Sequence, residues 1–167
     1  MKIGICLLFS ILCIHGEDVV RFSSNNQIKM FSAPLAKELI HSWIDVQKGV
    51  YPYVKPITDV VPLGEDITLF IYFKEPNNIY DVKIAECWAY DNEISRKDGN
   101  SINIYNHKNA TNPHYWKKVK YYENNAPIII LFTGLKTFKF PDGDKVFLSC
   151  DIILCYKKCL EGDHLVN

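Results

Sequence analysis

The stretch that decides the fold is APIIILFTGLKTFKFPDGDKVFLSCDIILCYKKC, which spans residues 126–159. Runs of β-branched and aromatic residues flank the turn sequence Pro141-Asp142-Gly143-Asp144, so the pattern predicts a strand on each side of a turn. Three cysteines follow, Cys150, Cys155 and Cys159. The stretch carries no catalytic group and no pair of metal ligands at a familiar spacing. It therefore indicates a structural, disulfide-bonded extracellular module and not an enzyme.

Strand patterns recur at intervals of roughly ten residues through most of the chain, with turn residues between them. They cover Asp66 to Phe73, Tyr80 to Tyr90, Ser101 to Tyr105, Tyr115 to Tyr122, Ile128 to Thr133, Lys136 to Phe140 and Lys145 to Cys155. This spacing is typical of an antiparallel β-sandwich. The sequence therefore predicts an all-β fold.

One segment has a helical pattern. From Leu35 to Val46 the apolar residues recur three and four positions apart, which is the spacing of an amphipathic helix. Pro34 suits a first helical turn and Gly49 can end a helix. We predict one short N-terminal helix over residues 33–48, with its apolar face packed on the domain.

The chain begins with a pattern typical of a secretory signal peptide. Lys2 precedes an almost unbroken apolar run from Ile3 to Ile14, and Gly16 is a small residue suited to cleavage. We predict residues 1–16 as the signal peptide, 17–56 as an N-terminal extension with a strand and the amphipathic helix, 57–160 as the sandwich and 161–167 as a short tail. The mature protein is then secreted, with no membrane span.

Charge and composition argue against several classes of partner. The chain has 19 basic and 19 acidic residues, and no basic stripe of the kind that binds nucleic acid. The most basic stretch, Trp116 to Lys120, is typical of the solvated face of a strand. We expect no nucleic-acid partner, no cofactor and no metal.

Four cysteines remain after signal cleavage, and three ways of pairing them are open. Along the last strand Cys150 shares a face with the apolar residues, whereas Cys155 lies on the opposite face, so these two cannot pair with each other. Cys87 lies mid-strand and is the natural core partner for Cys150. Cys155 and Cys159 are then left to close a small loop.

At these residues the chain resembles the C-terminal half of the zona pellucida (ZP) domain family. The resemblance rests on the order of four elements: Pro62-Leu63-Gly64-Glu65 before an apolar strand, Cys87-Trp88-Ala89, Phe138-Lys139-Phe140, and the Cys150 to Cys155 strand. It covers about residues 57–160. It implies an immunoglobulin-like β-sandwich, with Cys87 bonded to Cys150 across the sheets and Cys155 bonded locally to Cys159.

The sequence departs from the family pattern in three respects. A further disulfide usual in the family has neither of its cysteines here. The N-terminal half, which carries polymerisation in the family, has no counterpart in the roughly forty residues before the match. No dibasic processing site, external hydrophobic patch or membrane anchor follows the sandwich. These departures put self-assembly into filaments in doubt.

Few residues offer other chemistry. Asn109-Ala110-Thr111 is an acceptor sequence for N-glycosylation, so Asn109 is a candidate modified residue. His107 and His114 have no common metal spacing. Glu86, with Asp81 and Asp91 nearby, is only a weak candidate carboxylate pair, so we expect no catalytic residue.

Two functions follow as expectations. The first is a secreted, non-enzymatic component of an extracellular matrix or coat (egg coat, cuticle or apical matrix) that associates with other extracellular proteins, including ZP-type proteins. The alternative is a soluble secreted binding module, a ligand trap or effector, that does not polymerise. The place where the protein accumulates distinguishes the two.

Overall fold

A computed structural model describes residues 19–24, 40–58, 60–74, 77–92, 99–109, 115–123, 126–141 and 143–159. Within these ranges the chain forms ten β-strands and a 3₁₀ helix, His107–Asn109. The strands are β1 (Val19–Ser24), β2 (His41–Val50), β3 (Tyr53–Pro56), β4 (Val61–Pro62), β5 (Asp66–Lys74), β6 (Tyr80–Tyr90), β7 (Ser101–Asn106), β8 (Lys117–Glu123), β9 (Ala126–Lys136) and β10 (Lys145–Tyr156).

The strands form two five-stranded sheets. Sheet 1 has the order β4-β1-β10-β6-β7, and sheet 2 has the order β3-β2-β5-β9-β8. Neighbouring strands are antiparallel, except that β1 pairs with β10 in parallel. The prediction of an all-β, immunoglobulin-like sandwich is confirmed over the described residues. In this part of the chain no helix has the length and apolar character needed to cross a bilayer.

Alternate residues of the central strands form the core between the sheets. Strand β5 contributes Ile67, Leu69, Ile71 and Phe73, and all four are nearly inaccessible to solvent. Strand β10 contributes its own alternate set from the other sheet, beginning at Val146. Branched and aromatic side chains suit these positions because they pack well on a pleated surface. Each large side chain so buried contributes roughly 1.5–3 kcal/mol to stability.

The predicted helix over residues 33–48 is wrong where the structure describes it. Residues 41–50 form β2, which pairs antiparallel with β5 from His41 opposite Lys74 to Lys48 opposite Ile67. Residue 40 precedes β2 and is not helical, and residues 33–39 of the predicted helix lie outside the described ranges. Apolar side chains lie on both faces of β2, so its sequence shows no simple alternation and matched a helical period instead.

Strands β2 and β3 also belong to the sandwich, although they lie in the segment predicted as an N-terminal extension. β2 is an interior strand of sheet 2, with β3 on one side and β5 on the other. The described part of the sandwich therefore includes strands on the N-terminal side of residue 57.

The segment Lys136 to Phe140 was predicted as a separate strand, and this is wrong. β9 runs without interruption through Lys136, and residues 137–140 form no strand. Thr137 instead anchors the turn after β4, because its hydroxyl donates to Pro62 O at 2.6 Å and accepts from Glu65 N at 2.9 Å. The turn at Pro141 then carries the chain from sheet 2 to β10 in sheet 1.

Candidate interaction surface and its supports

The first pair of predicted site residues, Cys87 and Cys150, is joined by a disulfide in the structure. They lie directly opposite each other on neighbouring strands β6 and β10, with Cα atoms 4.1 Å apart. Both strands belong to sheet 1. The expectation that this disulfide connects the two sheets is therefore wrong. The disulfide links two adjacent strands, and both cysteines are buried in the core.

The second pair, Cys155 and Cys159, is also joined and closes a short loop where the chain leaves β10. Lys157 in this loop has a positive φ of 66°. Its backbone N–H donates to Ile79 O at 2.8 Å. The backbone N–H of Cys159 donates to Asp81 Oδ2 at 3.0 Å. The loop is thus held against the start of β6 at two points.

Asp81 connects this loop to the other sheet. Its Oδ1 accepts hydrogen bonds from Lys118 Nζ at 2.7 Å and from the Val82 N–H at 2.9 Å. Burial by itself would raise the pKa of Asp81, but the hydrogen bonds from Lys118, Cys159 and Val82 and the charge of Lys118 hold that pKa below its ordinary value. One carboxylate therefore joins β6, β8 and the cystine loop.

The outward side of sheet 2 is apolar across four strands. Residues directly opposite one another in a ladder share a face, and one such row is Trp43, Tyr72, Ile130 and Val119. Trp43 is 38% exposed and Val119 is 39% exposed. The rings of Trp43 and Tyr72 stack with centroids 4.9 Å apart and planes within 5°. We refer to this row and its neighbours Tyr51, Phe70 and Phe132 as the outer apolar face.

Tyr51 extends this face over the end of the sheet. Its ring centroid lies 4.4 Å from that of Phe132 and 6.3 Å from that of Phe70. The turn that carries Tyr51 is fixed by Thr68, whose hydroxyl donates to Gly49 O at 2.8 Å and accepts from the Tyr51 N–H at 3.2 Å. Thr68 is only 1% exposed. A buried hydroxyl therefore fixes the backbone of the turn from which the Tyr51 ring projects.

A second aromatic cluster lies where β7 approaches the start of β8. The rings of Tyr105 and Tyr115 stack at 5.4 Å, and Trp116 meets Tyr105 edge-on at 6.1 Å. Burial raises the pKa of Tyr105 and of Tyr115. A hydrogen bond with Thr133 partly offsets the rise in the pKa of Tyr115. Because Tyr105 belongs to sheet 1 and Tyr115 precedes β8 of sheet 2, the cluster packs one sheet edge against the other.

The candidate catalytic groups are not brought together. Asp81 accepts its hydrogen bonds from Lys118 and two backbone groups, and Asp91 accepts from Asn92 and Asn100. Glu86 lies opposite Asn106 on β7. Among the described residues, no cluster of three or more histidine, cysteine, aspartate or glutamate side chains could hold a metal ion.

The remaining candidates are histidines and the glycosylation sequence. His107 begins the 3₁₀ helix, and its Nδ1 lies 3.4 Å from the Tyr105 hydroxyl. His114 lies outside the described residues. The backbone of Asn109 ends the same 3₁₀ helix, whereas its side chain and residues 110 and 111 are outside the described part. Modification of Asn109 stays a prediction.

Sequence reasoning missed the outer apolar face. Its members come from strands that are distant in sequence, and Trp43 was assigned to a helix. The alternation of Phe70 and Tyr72 with the core residues of β5 was the available signal, because both faces of that strand are apolar.

The chain matches a known protein family over most of its length. The family model of the ZP-C domain, the C-terminal half of the zona pellucida domain, matches residues 44–163. The matched region begins within β2 and includes every strand from β3 to β10. No curated protein matches the chain.

Proposed function

Because the chain belongs to the zona pellucida family through its ZP-C domain, we propose that it is a secreted, non-enzymatic component of an extracellular matrix or coat. In this role it associates with other ZP-type proteins. The observation that carries the proposal, beyond membership of the family, is the outer apolar face of sheet 2, which exposes Trp43 and Val119 beside stacked rings.

The disulfides support the extracellular part of the proposal. Paired cysteines persist in oxidising compartments and are rare in the cytosol, and the structure pairs Cys87 with Cys150 and Cys155 with Cys159. Secretion would depend on residues 1–16 as a signal peptide. N-terminal sequencing of the secreted protein should then begin at Glu17, and retention of residues 1–16 would refute this part.

The chemistry of the outer apolar face suits a protein partner. Aromatic residues are enriched at the buried centres of protein interfaces, where a few side chains carry most of the binding energy. Trp43 and Tyr72 are already stacked in the free chain, so little conformational entropy is lost when a partner covers them. The turn at Tyr51 is also already fixed in the free chain, because its backbone is hydrogen-bonded to the buried Thr68 hydroxyl.

The test is recovery of matrix proteins on immobilised secreted protein, with wild type compared with Trp43→Glu. The matched control is Tyr156→Glu, which replaces an aromatic residue that is 70% exposed at the end of β10 in sheet 1. We expect Trp43→Glu to lower recovery by about tenfold or more, while the control retains it. If wild type recovers no ZP-type protein, or both variants bind equally, the proposal fails.

Immunolocalisation separates the proposal from its alternative. A matrix or coat component accumulates in an insoluble extracellular layer. Diffuse secretion without such a layer would favour the soluble binding module, a ligand trap or effector.

A further inference from the structure

The edge strand β8 has features that fit one particular partner. It is seven residues long, all seven are exposed, and among the described strands it pairs only with β9. Its other edge therefore presents backbone N–H and C=O groups without a described strand beside them. Such an edge is a template for another strand, and proteins usually protect it with charged side chains, especially lysine.

Two of the three lysines of β8 are engaged within their own chain. Lys118 and Lys120 lie on the side of sheet 2 that faces sheet 1, since they are opposite Leu131 and Ile129 of the core. Lys118 Nζ donates to Asp81 Oδ1, and Lys120 Nζ donates to Asn78 Oδ1. Both ammonium groups are thus held toward the residues around β6 and away from an approaching strand.

We propose that β8 pairs with β8 of a second copy of this chain, antiparallel and centred on Lys120, to form a closed dimer. This inference deepens the proposed function, on which it rests, by naming one partner of the module. A two-fold axis requires that the residue at the centre oppose itself, so each register is defined by its central residue.

The register centred on Lys120 makes the strand self-complementary. Lys117 then lies opposite Glu123 of the partner subunit, and the same pair recurs on the other side of the axis. Glu123 is the acidic residue of β8. Within its own chain its carboxylate accepts from Lys74 Nζ at 2.9 Å, which leaves its second oxygen for Lys117. Shifting the centre to Val119 instead would put Lys118 opposite Lys120 of the partner subunit, and like charges in opposed positions are destabilising.

The apolar pattern also matches in this register. Val119 lies opposite Tyr121 of the partner subunit, and both lie on the outward side of sheet 2. Val119 is 39% exposed and Tyr121 is 40% exposed in the single chain. Their pairing joins the outer apolar faces of the two copies, and aromatic residues opposite β-branched ones stabilise neighbouring strands.

The inward side of β8 presents one unfavourable pair. Lys120 lies opposite Lys120 of the partner subunit at the axis. Each of these side chains is directed at Asn78 of its own chain, so the two ammonium groups diverge. Lys118 lies opposite Tyr122 of the partner subunit. Its ammonium group stays with Asp81 of its own chain, so its alkyl stem is the part that meets the Tyr122 ring, which is 63% exposed.

The interface is isologous, so pairing uses up the edge of both copies and ends at two. The contact is one strand wide, so we expect a weak, reversible dimer.

The first test is sedimentation equilibrium of the secreted protein. Wild type should dimerise reversibly. Lys117→Glu places a carboxylate opposite Glu123 of the partner subunit on each side of the axis. This variant should weaken dimerisation by about tenfold or more. Lys117→Glu combined with Glu123→Lys restores opposite charges and should recover much of the affinity. The control, Lys136→Glu, makes the same charge change on β9 beyond the end of β8 and should leave dimerisation unchanged.

A second test checks the register by a covalent link. Directly opposed residues in an antiparallel ladder come close enough for a disulfide. Lys120→Cys should therefore give a disulfide-linked dimer under mild oxidation, whereas Tyr122→Cys, which opposes Lys118, should not. Equal cross-linking by both variants would refute the register.

The dimer and the proposed function can fail separately. A wild-type chain that stays monomeric at its highest soluble concentration overturns the dimer, as does a dimer unaffected by Lys117→Glu. Neither result affects recovery of matrix proteins through Trp43. Conversely, loss of matrix binding in wild type refutes the proposed function even if the dimer forms.

Discussion

Removing the Cys87–Cys150 disulfide should destabilise the fold far more than removing Cys155–Cys159. The two cysteines of the first bridge are 63 residues apart and those of the second are 4 apart. In the chain-entropy treatment these loops correspond to about 4.3 and about 2 kcal/mol of stabilisation. The first pair is also buried, whereas the second is partly exposed. Lost packing therefore widens the difference.

The comparison needs paired substitutions, so that no free thiol is left behind. Cys87→Ala with Cys150→Ala is compared with Cys155→Ala with Cys159→Ala by urea unfolding, which yields the free energy of unfolding from the midpoint and the slope. We expect the first double variant to lose at least about 2 kcal/mol more than the second. Equal losses would refute the reasoning from loop length, and peptide mapping that joined Cys150 to Cys159 would refute the pairing itself.

Three further predictions concern single side chains. Asp81→Asn should cost about 1–2 kcal/mol near neutral pH, because it removes the charge-assisted bond from Lys118. The pKa of Asp81 is lowered in the folded state, so its contribution to the free energy of unfolding is present above the ordinary aspartate value of 3.8 and is lost as pH falls through the folded pKa. If urea unfolding showed that Asp81→Asn still lowered the free energy of unfolding in strong acid, this reasoning would be contradicted. Gly49→Ala should cost on the order of 1–3 kcal/mol in the same assay, because Gly49 has φ of 99° and a new Cβ would lie 2.7 Å from Tyr53 O; Gly134→Ala, which meets nothing within 4 Å, is the control. Asn109→Gln should abolish a mass decrease on glycosidase treatment of the secreted protein, and an unchanged wild-type mass would show that the site is unoccupied.

Strand β10 and the faces on which its cysteines lie could be predicted because these signals are local. Along β10, Val146, Leu148 and Cys150 alternate with more exposed residues, so the sequence shows which side of the strand faces the core. The position of the Cys87 bridge could not be predicted in the same way. Alternation assigns a residue to a face, but it does not say whether the partner on that face belongs to the same sheet or the opposite one.

The wrong prediction of a helix where β2 lies has a different physical origin. Ile44 and Val46 face the core, and Trp43 lies on the opposite side, where it stacks on Tyr72 of β5. A strand that packs apolar side chains on both faces loses the period of two that identifies strands. The partner that explains Trp43 is 29 positions later in the sequence, so no local pattern could reveal it. The outer apolar face was missed for this same reason.

The placement of the disulfides changes the account of what holds the two sheets together. Cys87–Cys150 lies within sheet 1, and Cys155–Cys159 lies at the end of β10 in that sheet. Sheet 2 is therefore attached through the apolar core, the Tyr105–Tyr115 stack and the bond between Asp81 and Lys118. None of these three contacts is itself a disulfide. Loss of a disulfide should consequently act mainly by freeing the unfolded chain, which is why loop length is the quantity that ranks the two bridges.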